Sequence, residues 1–175
     1  MKIISHRGNL EGPNKESENN PDQIIKCINK GLEVEIDLFF IKKSENFYLG
    51  HDKPQYKISL NWLTYFSSKL WIHCKNIDCL HELTSSSLNL NFFWHQNDDY
   101  TLTNNKNIWA YPGKGFTSNT IVVLPEKFIK FNEIKILPSS LGVCTDYPMK
   151  YIKDLNLKIS EEVLSAANKM TAQIN

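Results

Sequence analysis

The order of elements in this 175-residue sequence predicts an α/β fold, a compact (β/α)8 barrel of the TIM type with several shortened helices. Short apolar runs rich in β-branched residues recur about every 15 to 25 residues and are typical of strands. Helical segments lie between several of these runs, and this alternation favours a parallel sheet. Because such a barrel usually takes about 250 residues, we expect abbreviated helices and a single domain over residues 1–175.

Eight strands are predicted from the apolar runs. They cover residues 2–5, 33–39, 47–50, 70–74, 91–94, 108–110, 120–124 and 141–144. Eight strands suggest a closed barrel rather than an open doubly wound sheet. The sequence has no GxGxxG or GxxxxGK motif, which argues against a nucleotide-binding fold.

Helix starts are marked by capping residues. Asn20, followed by proline, begins a first helix that ends at Gly31, and Ser59 and Asn76 begin two more. Apolar residues at helical spacing, preceded by two glutamates in the first turn, predict a packed terminal helix over 159–174.

Composition narrows the class of partner. Twenty Lys and Arg residues against nineteen Asp and Glu give a net charge of +1, so we do not expect general nucleic-acid binding. No run approaches the roughly 18 apolar residues of a membrane span, and the first residues turn polar too soon for a signal peptide. We therefore expect a cytoplasmic protein without membrane insertion, and the sequence leaves its oligomeric state open.

The four cysteines form no CxxC pair. In a domain of this size without a secretion signal, we expect them to be reduced and buried. A zinc cluster of His73, Cys74, Cys79 and His81 is a weaker alternative, because structural zinc sites usually carry tighter ligand pairs.

Polar residues that carry chemistry end the first three apolar runs. His6-Arg7-Gly8 ends the first run, and an isolated histidine there would more often be a core or turn residue. Arg7, however, offers a fork of donors matched to phosphate oxygens, and Gly8 lets the backbone turn beneath a ligand. Because the carboxyl ends of barrel strands form the catalytic face, these residues are candidates for a site.

Glu35 and Asp37 lie two apart on a predicted strand, so their side chains share one face. Two carboxylates so close repel each other unless a cation lies between them, and a divalent ion is the simplest resolution. The alternative is a solvated strand face, which the apolar neighbours disfavour.

His51-Asp52 ends the third run. His51 can face His6 across the ion while Asp52 orients an imidazole, and two imidazoles can divide general base and general acid work. Lys75 follows the fourth run and is either a surface lysine or a group that stabilises charge on phosphorus. Aromatic residues near later strand ends are pocket-wall candidates, with core or rim positions as the alternative. They are Trp94, His95, Trp109, Tyr111 and Tyr147.

These motifs resemble the glycerophosphodiester phosphodiesterases, a family in the superfamily of phospholipase-C-like barrels. The resemblance lies in His6-Arg7-Gly8, Glu18-Asn19, Glu35-Ile36-Asp37, His51-Asp52 and Cys144-Thr145-Asp146-Tyr147-Pro148. It is dense over residues 1–52, sparse in the middle, and returns at 142–148.

The resemblance implies a TIM-type barrel, a divalent ion (Mg, Ca or Mn) and a small-molecule phosphodiester substrate. It assigns general acid and base roles to His6 and His51, and phosphate binding to Arg7 and Lys75. Trp109, which ends a strand on the predicted active face, is a further candidate for substrate binding. The metal would lie on Glu35, Asp37 and His73, with Glu18 and Asp52 as supporting residues. His73 stands where the family has an acidic ligand, and imidazole favours manganese, zinc or iron over calcium and magnesium.

Three functions follow as hypotheses. The first is hydrolysis of a glycerophosphodiester-like molecule. The second is a related activity, either phospholipase-like or sphingomyelinase-like or on surface-polysaccharide phosphodiesters, that releases a cyclic phosphate. The third is a non-catalytic barrel that binds phosphate, for which His73 in place of a carboxylate is the main support.

Overall fold

The computed structural model describes residues 1–172, apart from the side chains of residues 132 and 171. Its strands are β1 Lys2–His6, β2 Glu33–Ile41, β3 Asn46–Leu49, β4 Tyr56–Ile58, β5 Leu70–Cys74, β6 Phe92–Phe93, β7 Tyr100–Leu102, β8 Ile108–Ala110, β9 Thr120–Val123 and β10 Gly142–Thr145. Its α-helices are α1 Pro21–Asn29, α2 Leu60–Tyr65, α3 Ile77–Ser85, α4 Pro148–Asp154 and α5 Glu161–Ala172. Three 3-10 helices span Ser67–Lys69, Pro125–Lys127 and Phe131–Ser139.

The strands form one curled and mostly parallel sheet, which confirms an α/β fold of TIM-like character. Parallel ladders join the strands in the order β6, β5, β2, β1, β10, β9, β8. All eight predicted strands form, with ends that differ by up to two residues, and the chain adds two more, β4 and β7.

The prediction of a closed eight-stranded barrel is wrong. The predicted third strand, β3, does not follow a crossover; it runs antiparallel to the end of β2, where Leu38 pairs with Leu49 and Ile41 with Asn46. A short turn with Glu45 in the left-handed conformation joins the two strands. This hairpin, extended by β4, prolongs the last part of β2, while β5 takes the parallel place beside β2. A four-residue loop is too short for a parallel crossover.

An opening remains in the barrel wall. Within residues 1–172 no ladder pairs β6 with β7 or β8, and β7 runs antiparallel to β8. Hydrogen bonds of Asn104 cross the opening: its backbone N–H donates to the carbonyl of Phe92 (2.9 Å), and its side chain bonds the backbone of Phe92 and Leu90 (2.8 Å each). Thr101 Oγ1 also donates to the carbonyl of Trp94 (2.9 Å). Polar bridges thus replace strand pairing at this point.

The two faces of the strands carry different layers. One buried cluster lies inside the curl: Ile4, Trp71, Phe93, Trp109, Ile121, Val123, Leu124 and Cys144. The outward positions of β2, among them Val34, Ile36 and Leu38, pack in a larger cluster with residues of α1, α2 and α3. Because side chains alternate along a strand, the same period of two that buries Val34 and Ile36 outward turns Glu35 and Asp37 inward.

The predicted helix starts are confirmed. The side chains of Asn20, Ser59 and Asn76 each accept a backbone N–H of the helix they begin. Gly31 follows α1 with φ +81°, and a Cβ there would lie 2.5 Å from a methyl carbon of Ile159. The predicted terminal helix forms as α5, begins at Glu161 rather than at residue 159, and packs on α1. The predicted end at residue 174 lies outside the described residues.

Two further expectations bear on environment. All four cysteines are buried and free of disulfides, and burial raises the pKa of Cys27 to about 11. No helix among the described residues is both long and apolar enough to cross a membrane.

Candidate active site

Strand register brings the predicted site residues together at the carboxyl end of the sheet. His6 is the register partner of Glu35 across β1 and β2, and Asp37 is the partner of His73 across β2 and β5. The Glu35 and Asp37 residues are only 2% and 0% exposed. Two histidines and two carboxylates from three neighbouring strands therefore meet in one buried cluster.

Asp146, immediately after β10, holds the ring of His6. The Nδ1 atom of His6 lies 2.7 Å from Oδ1 of Asp146, and that oxygen also accepts from Asn9 Nδ2 at 2.8 Å. The backbone N–H of Asp146 donates to Oε1 of Glu126 at 2.9 Å. With Nδ1 held, Nε2 of His6 lies 4.0 Å from Glu35 Oε2, beside the acidic cluster.

His6 and Asp146 each stabilise the charged form of the other. Burial lowers the pKa of His6, but the hydrogen bond to Asp146 and the charge of Glu35 outweigh burial, so that pKa is raised. Burial likewise would raise the pKa of Asp146, but the hydrogen bond and charge of His6 hold it below its usual value. An imidazole with one nitrogen on a carboxylate is oriented for proton transfer at the other nitrogen.

The chain turns towards the site at Arg7. It adopts a left-handed conformation (φ 53°), followed by Gly8 at φ 85°. Its backbone N–H points at the main-chain oxygen of Glu35 (3.0 Å) and at Oε2 of the same residue (3.2 Å). Its guanidinium bonds Oε2 of Glu18 (3.3 Å), and its Nε forms an ion pair with Asp37 Oδ2 at 3.0 Å without aligned hydrogen-bond geometry.

Asp37 is the most heavily contacted acid of the site. The Asn19 side chain donates to its Oδ2 (3.0 Å) and accepts its backbone N–H (2.9 Å). His73 Nδ1 and Lys75 Nζ lie 3.0 and 3.3 Å from its Oδ1. Burial would raise the pKa of Asp37, but the hydrogen bond of His73 and the charges of Arg7 and Lys75 outweigh burial and hold that pKa far below its ordinary value.

His73 has oxygen acceptors at both ring nitrogens. Nδ1 faces Asp37 Oδ1 at 3.0 Å, and Nε2 faces the carbonyl of His95 at 2.9 Å. The ring also stacks on Phe93, with centroids 5.2 Å apart. A neutral imidazole carries one N–H and satisfies only one of these acceptors, so the other side needs a second proton or a cation. Donation from Nε2 to a backbone carbonyl is the usual arrangement for a histidine that binds a metal through Nδ1.

Glu35, Asp37 and His73 fit a divalent ion. Each offers a ligand atom, and the three atoms lie within 4.8 Å of one another. Burial and the nearby charge of Asp37 raise the pKa of Glu35. Two carboxylate oxygens with one imidazole nitrogen form a mixed oxygen and nitrogen ligand set, which divalent ions accept.

A cleft of about 380 Å³ opens above this cluster. Its lining residues are His6, Arg7, Glu35, His51, His73, Lys75, His95, Gln96, Trp109, Tyr111, Pro112, Val123, Leu124 and Lys127. His51 Nδ1 lies 2.6 Å from Asp52 Oδ1, and the side chains of His51 and Asp52 are 39% and 91% exposed. His51 thus lies at the open side of the cleft, and the buried His6 lies at its floor.

Most predicted residues meet around this cleft. Trp109, His95 and Tyr111 line it, whereas Trp94 packs against the core outside the sheet and Tyr147 packs near Phe131. Glu18 bonds Arg7, and Asp52 bonds His51. The supporting roles of Glu18 and Asp52 stay predictions.

Sequence reasoning assigned no role to three polar residues of the site, Asn9, Asn19 and Asp146, although Asn19 and Asp146 belong to the motifs that carry the resemblance. Asp146 directly follows β10, so its place at a strand end was a usable signal. Asn19 has φ 60°, a left-handed conformation that asparagine tolerates, but its contact with Asp37 depends on the fold of the intervening loop.

Neither a protein-family model nor a curated protein sequence matches this chain. A solved structure resembles it in outline. It is a crystal structure from Galdieria sulphuraria, named a "putative glycerophosphodiester phosphodiesterase", with a TM-score of 0.47 and 12% sequence identity, covering 89% of this chain and 97% of that chain.

Proposed function

We propose that this protein is a metal-dependent phosphodiester hydrolase that acts on a small diester of the glycerophosphodiester kind. One observation carries the proposal: the His6–Asp146 pair and the ligand group of Glu35, Asp37 and His73 lie side by side at the floor of one cleft. An oriented imidazole next to a cation site is the arrangement that metal-assisted attack on phosphorus requires.

Binding of the diester uses the positive side chains of the cleft. Arg7 and Lys75 both line it, and each is held by Asp37. In this proposal they hold the non-bridging phosphate oxygens. A divalent ion on Glu35, Asp37 and His73, when bound, supplies further charge neutralisation at the phosphoryl group.

Proton transfer in the proposed reaction is divided between two imidazoles. One takes the proton of the attacking hydroxyl as the new oxygen–phosphorus bond forms. The other gives a proton to the leaving alkoxide as its bond to phosphorus breaks. His6 and His51 both line the cleft, and each has Nδ1 on a carboxylate, so each can act through Nε2.

The test is phosphorus NMR of the protein with glycerophosphodiesters and lysophospholipids, in parallel with Mg²⁺, Ca²⁺ and Mn²⁺. We expect a new monoester resonance in one metal series; a cyclic-phosphate resonance would instead identify transfer to a hydroxyl of the substrate. His6→Ala and His51→Ala should each lower turnover by about 100-fold or more. His81→Ala, on exposed α3, is the matched control. Full activity of the double variant would refute the assignment.

A non-catalytic phosphate-binding barrel is the second candidate, and one observation favours it. The carboxylate of Asp37 already contacts the side chains of Asn19, Arg7, His73 and Lys75. Protein groups alone can therefore neutralise its charge. Calorimetry separates the two proposals: a binding module should take up inorganic phosphate without a divalent ion and turn over no diester.

A further inference from the structure

Lys127 lines the cleft from a different element than Lys75 does. It ends the 3-10 helix Pro125–Lys127, and it lines the cleft together with Leu124 and Tyr111. Lys75, by contrast, follows β5 and lies against Asp37 at the floor. The two lysines therefore reach different parts of a bound molecule.

The charge of Lys127 is not used by the protein. Arg7 pairs with Glu18 and Asp37, and Lys75 pairs with Asp37. Among the ion pairs of the described residues, none includes Lys127. Its neighbour Glu126 is turned away from the cleft, where Oε1 accepts the backbone N–H of Asp146 at 2.9 Å. A diester phosphate held at the floor leaves this outer cation for another part of the substrate.

Hydrogen bonds of the surrounding turn hold the backbone of Lys127 in place. Leu124 adopts a left-handed conformation (φ 45°), which is uncommon for a residue other than glycine. Its N–H bonds the carbonyl of Cys144 (2.7 Å), and its carbonyl accepts from Lys127 N–H (3.1 Å). The bond between Glu126 and Asp146 ties the same turn to the end of β10. The Lys127 backbone is thus fixed relative to the His6–Asp146 pair.

Aromatic rings line the same wall, and the rings and Lys127 favour head groups of opposite charge. Tyr111 stacks on His95 with centroids 5.5 Å apart, and the Tyr111 residue is 46% exposed. Such a ring suits a quaternary ammonium group through cation–π attraction. An unpaired lysine on the same wall repels that group and attracts an anion. A cation–π contact acts only within about 6 Å of the ring, whereas the lysine charge acts over about a Debye length of 8–10 Å, so the anion is favoured.

We propose that Lys127 selects phosphodiesters whose polar head group carries a further negative charge, a carboxylate or a second phosphate, over those with a quaternary ammonium head. The inference rests on the proposed hydrolase function and names its substrate class. Lys127 contacts the head group in this account, while Arg7 and Lys75 contact the diester phosphate.

The experiment compares four glycerol diesters that differ in head group: glycerophosphocholine, glycerophosphoglycerol, glycerophosphoglycerate and glycerophosphoglycerol phosphate. Phosphorus NMR gives kcat/KM for each with the preferred metal. We expect kcat/KM for the two diesters with a carboxylate or a second phosphate in the head group to exceed that for glycerophosphocholine by about five- to tenfold at low salt. The larger value of the two distinguishes a carboxylate from a phosphate as the preferred anion. Added salt should reduce the preference.

Lys127→Glu should invert the ratio of kcat/KM for the diesters with an anionic head group to kcat/KM for glycerophosphocholine. The milder Lys127→Gln should bring this ratio close to one. Lys130→Glu is the matched control, because Lys130 is an exposed lysine three residues later that does not line the cleft; its ratio should match the wild type. Circular dichroism establishes that each variant is folded.

The outcomes are separable. Hydrolysis by the wild-type protein with a ratio that Lys127→Glu leaves unchanged overturns the role of Lys127 and leaves the hydrolase intact. No hydrolysis of any of the four diesters with any metal overturns both proposals. An equal response of the ratio to Lys130→Glu shows a diffuse surface effect and likewise overturns the assignment to Lys127.

Discussion

At the scale of single residues, orientation matters as much as identity. An imidazole transfers protons productively when one nitrogen is held and the other is presented to the substrate. In His6 the holding group is Asp146, which is fixed by Asn9 and, through its backbone, by Glu126. Removing the carboxylate charge while keeping the shape of the side chain therefore tests whether this contact matters.

Asp146→Asn should lower kcat by about 100-fold or more, because the asparagine neither stabilises an imidazolium nor fixes its tautomer. The lost charge should also lower the pKa of His6, which the carboxylate now raises. Stopped assays on bis(p-nitrophenyl) phosphate and an NMR titration of the imidazole measure the two effects. Asp154→Asn, which removes only a surface ion pair with Lys150, should change neither. An unaltered kcat in Asp146→Asn would remove Asp146 from the mechanism.

His73 should decide which metal the site prefers. A carboxylate in its place converts a mixed nitrogen and oxygen ligand set into an all-oxygen set, which suits magnesium and calcium. His73→Asp should therefore raise the ratio of Mg²⁺ to Mn²⁺ affinity by about tenfold in isothermal titration calorimetry. His81→Asp adds the same charge on exposed α3 and should leave the ratio constant. An identical ratio in His73→Asp would exclude the imidazole as a ligand.

At the scale of elements, β2 organises the molecule. Its first part pairs with β1 and β5 in parallel, and its last four residues pair with β3 in a hairpin. This single strand carries Glu35 and Asp37 inward and a row of apolar side chains outward. In a closed barrel, the segment after β2 would form a helix and a parallel strand instead of this hairpin. Within residues 1–172 the sheet is also open between β6 and β7, where Asn104 bridges the two sides.

Asn104→Ala should reduce the free energy of unfolding by about 1–2 kcal/mol, because it leaves the N–H of Phe92 and the carbonyl of Leu90 without their side-chain partner. Urea unfolding followed by circular dichroism measures the loss. Asn105→Ala changes the exposed neighbouring residue and should stay within about 0.5 kcal/mol of the wild type. Equal stabilities of the two variants would show that the side-chain bridge contributes nothing.

At the scale of the whole molecule, charge distribution couples folding to ligand binding. Four carboxylates meet near His6: those of Glu18, Glu35, Asp37 and Asp146. Two of them, Glu35 and Asp37, are almost completely buried, and an unfolded chain cannot present them as one site. A divalent ion that binds only the folded state therefore stabilises it.

Manganese at 100 times its dissociation constant should raise the stability by about 2.7 kcal/mol. For a chain of this size that corresponds to a rise in Tm of roughly 5–10 °C. Differential scanning calorimetry with Mn²⁺ and with a chelator measures the shift. Glu35→Gln should abolish it, while Glu33→Gln, at the first residue of β2 and outside the ligand group, should retain it. A Tm that manganese does not move in the wild type would argue against a metal site.

The sequence by itself determined the strands and the residues at their ends. Apolar runs located all eight predicted strands, and the period of two assigned Val34 and Glu35 to opposite faces. Capping chemistry located Asn20 at the start of α1. These features are local, since they depend on side-chain alternation and on hydrogen bonds within a few residues. Local patterns are therefore sufficient to predict them.

Only the tertiary structure decided how the strands join and which side chains meet. His6 and Asp146 lie 140 residues apart, and nothing near either one in sequence names the other as its partner. Likewise, an apolar run such as β3 has the same local pattern whether it pairs in a parallel or an antiparallel ladder. The connection length and the packing of the whole chain select the antiparallel hairpin. The opening in the barrel and the place of Lys127 on the cleft wall follow from those long-range choices.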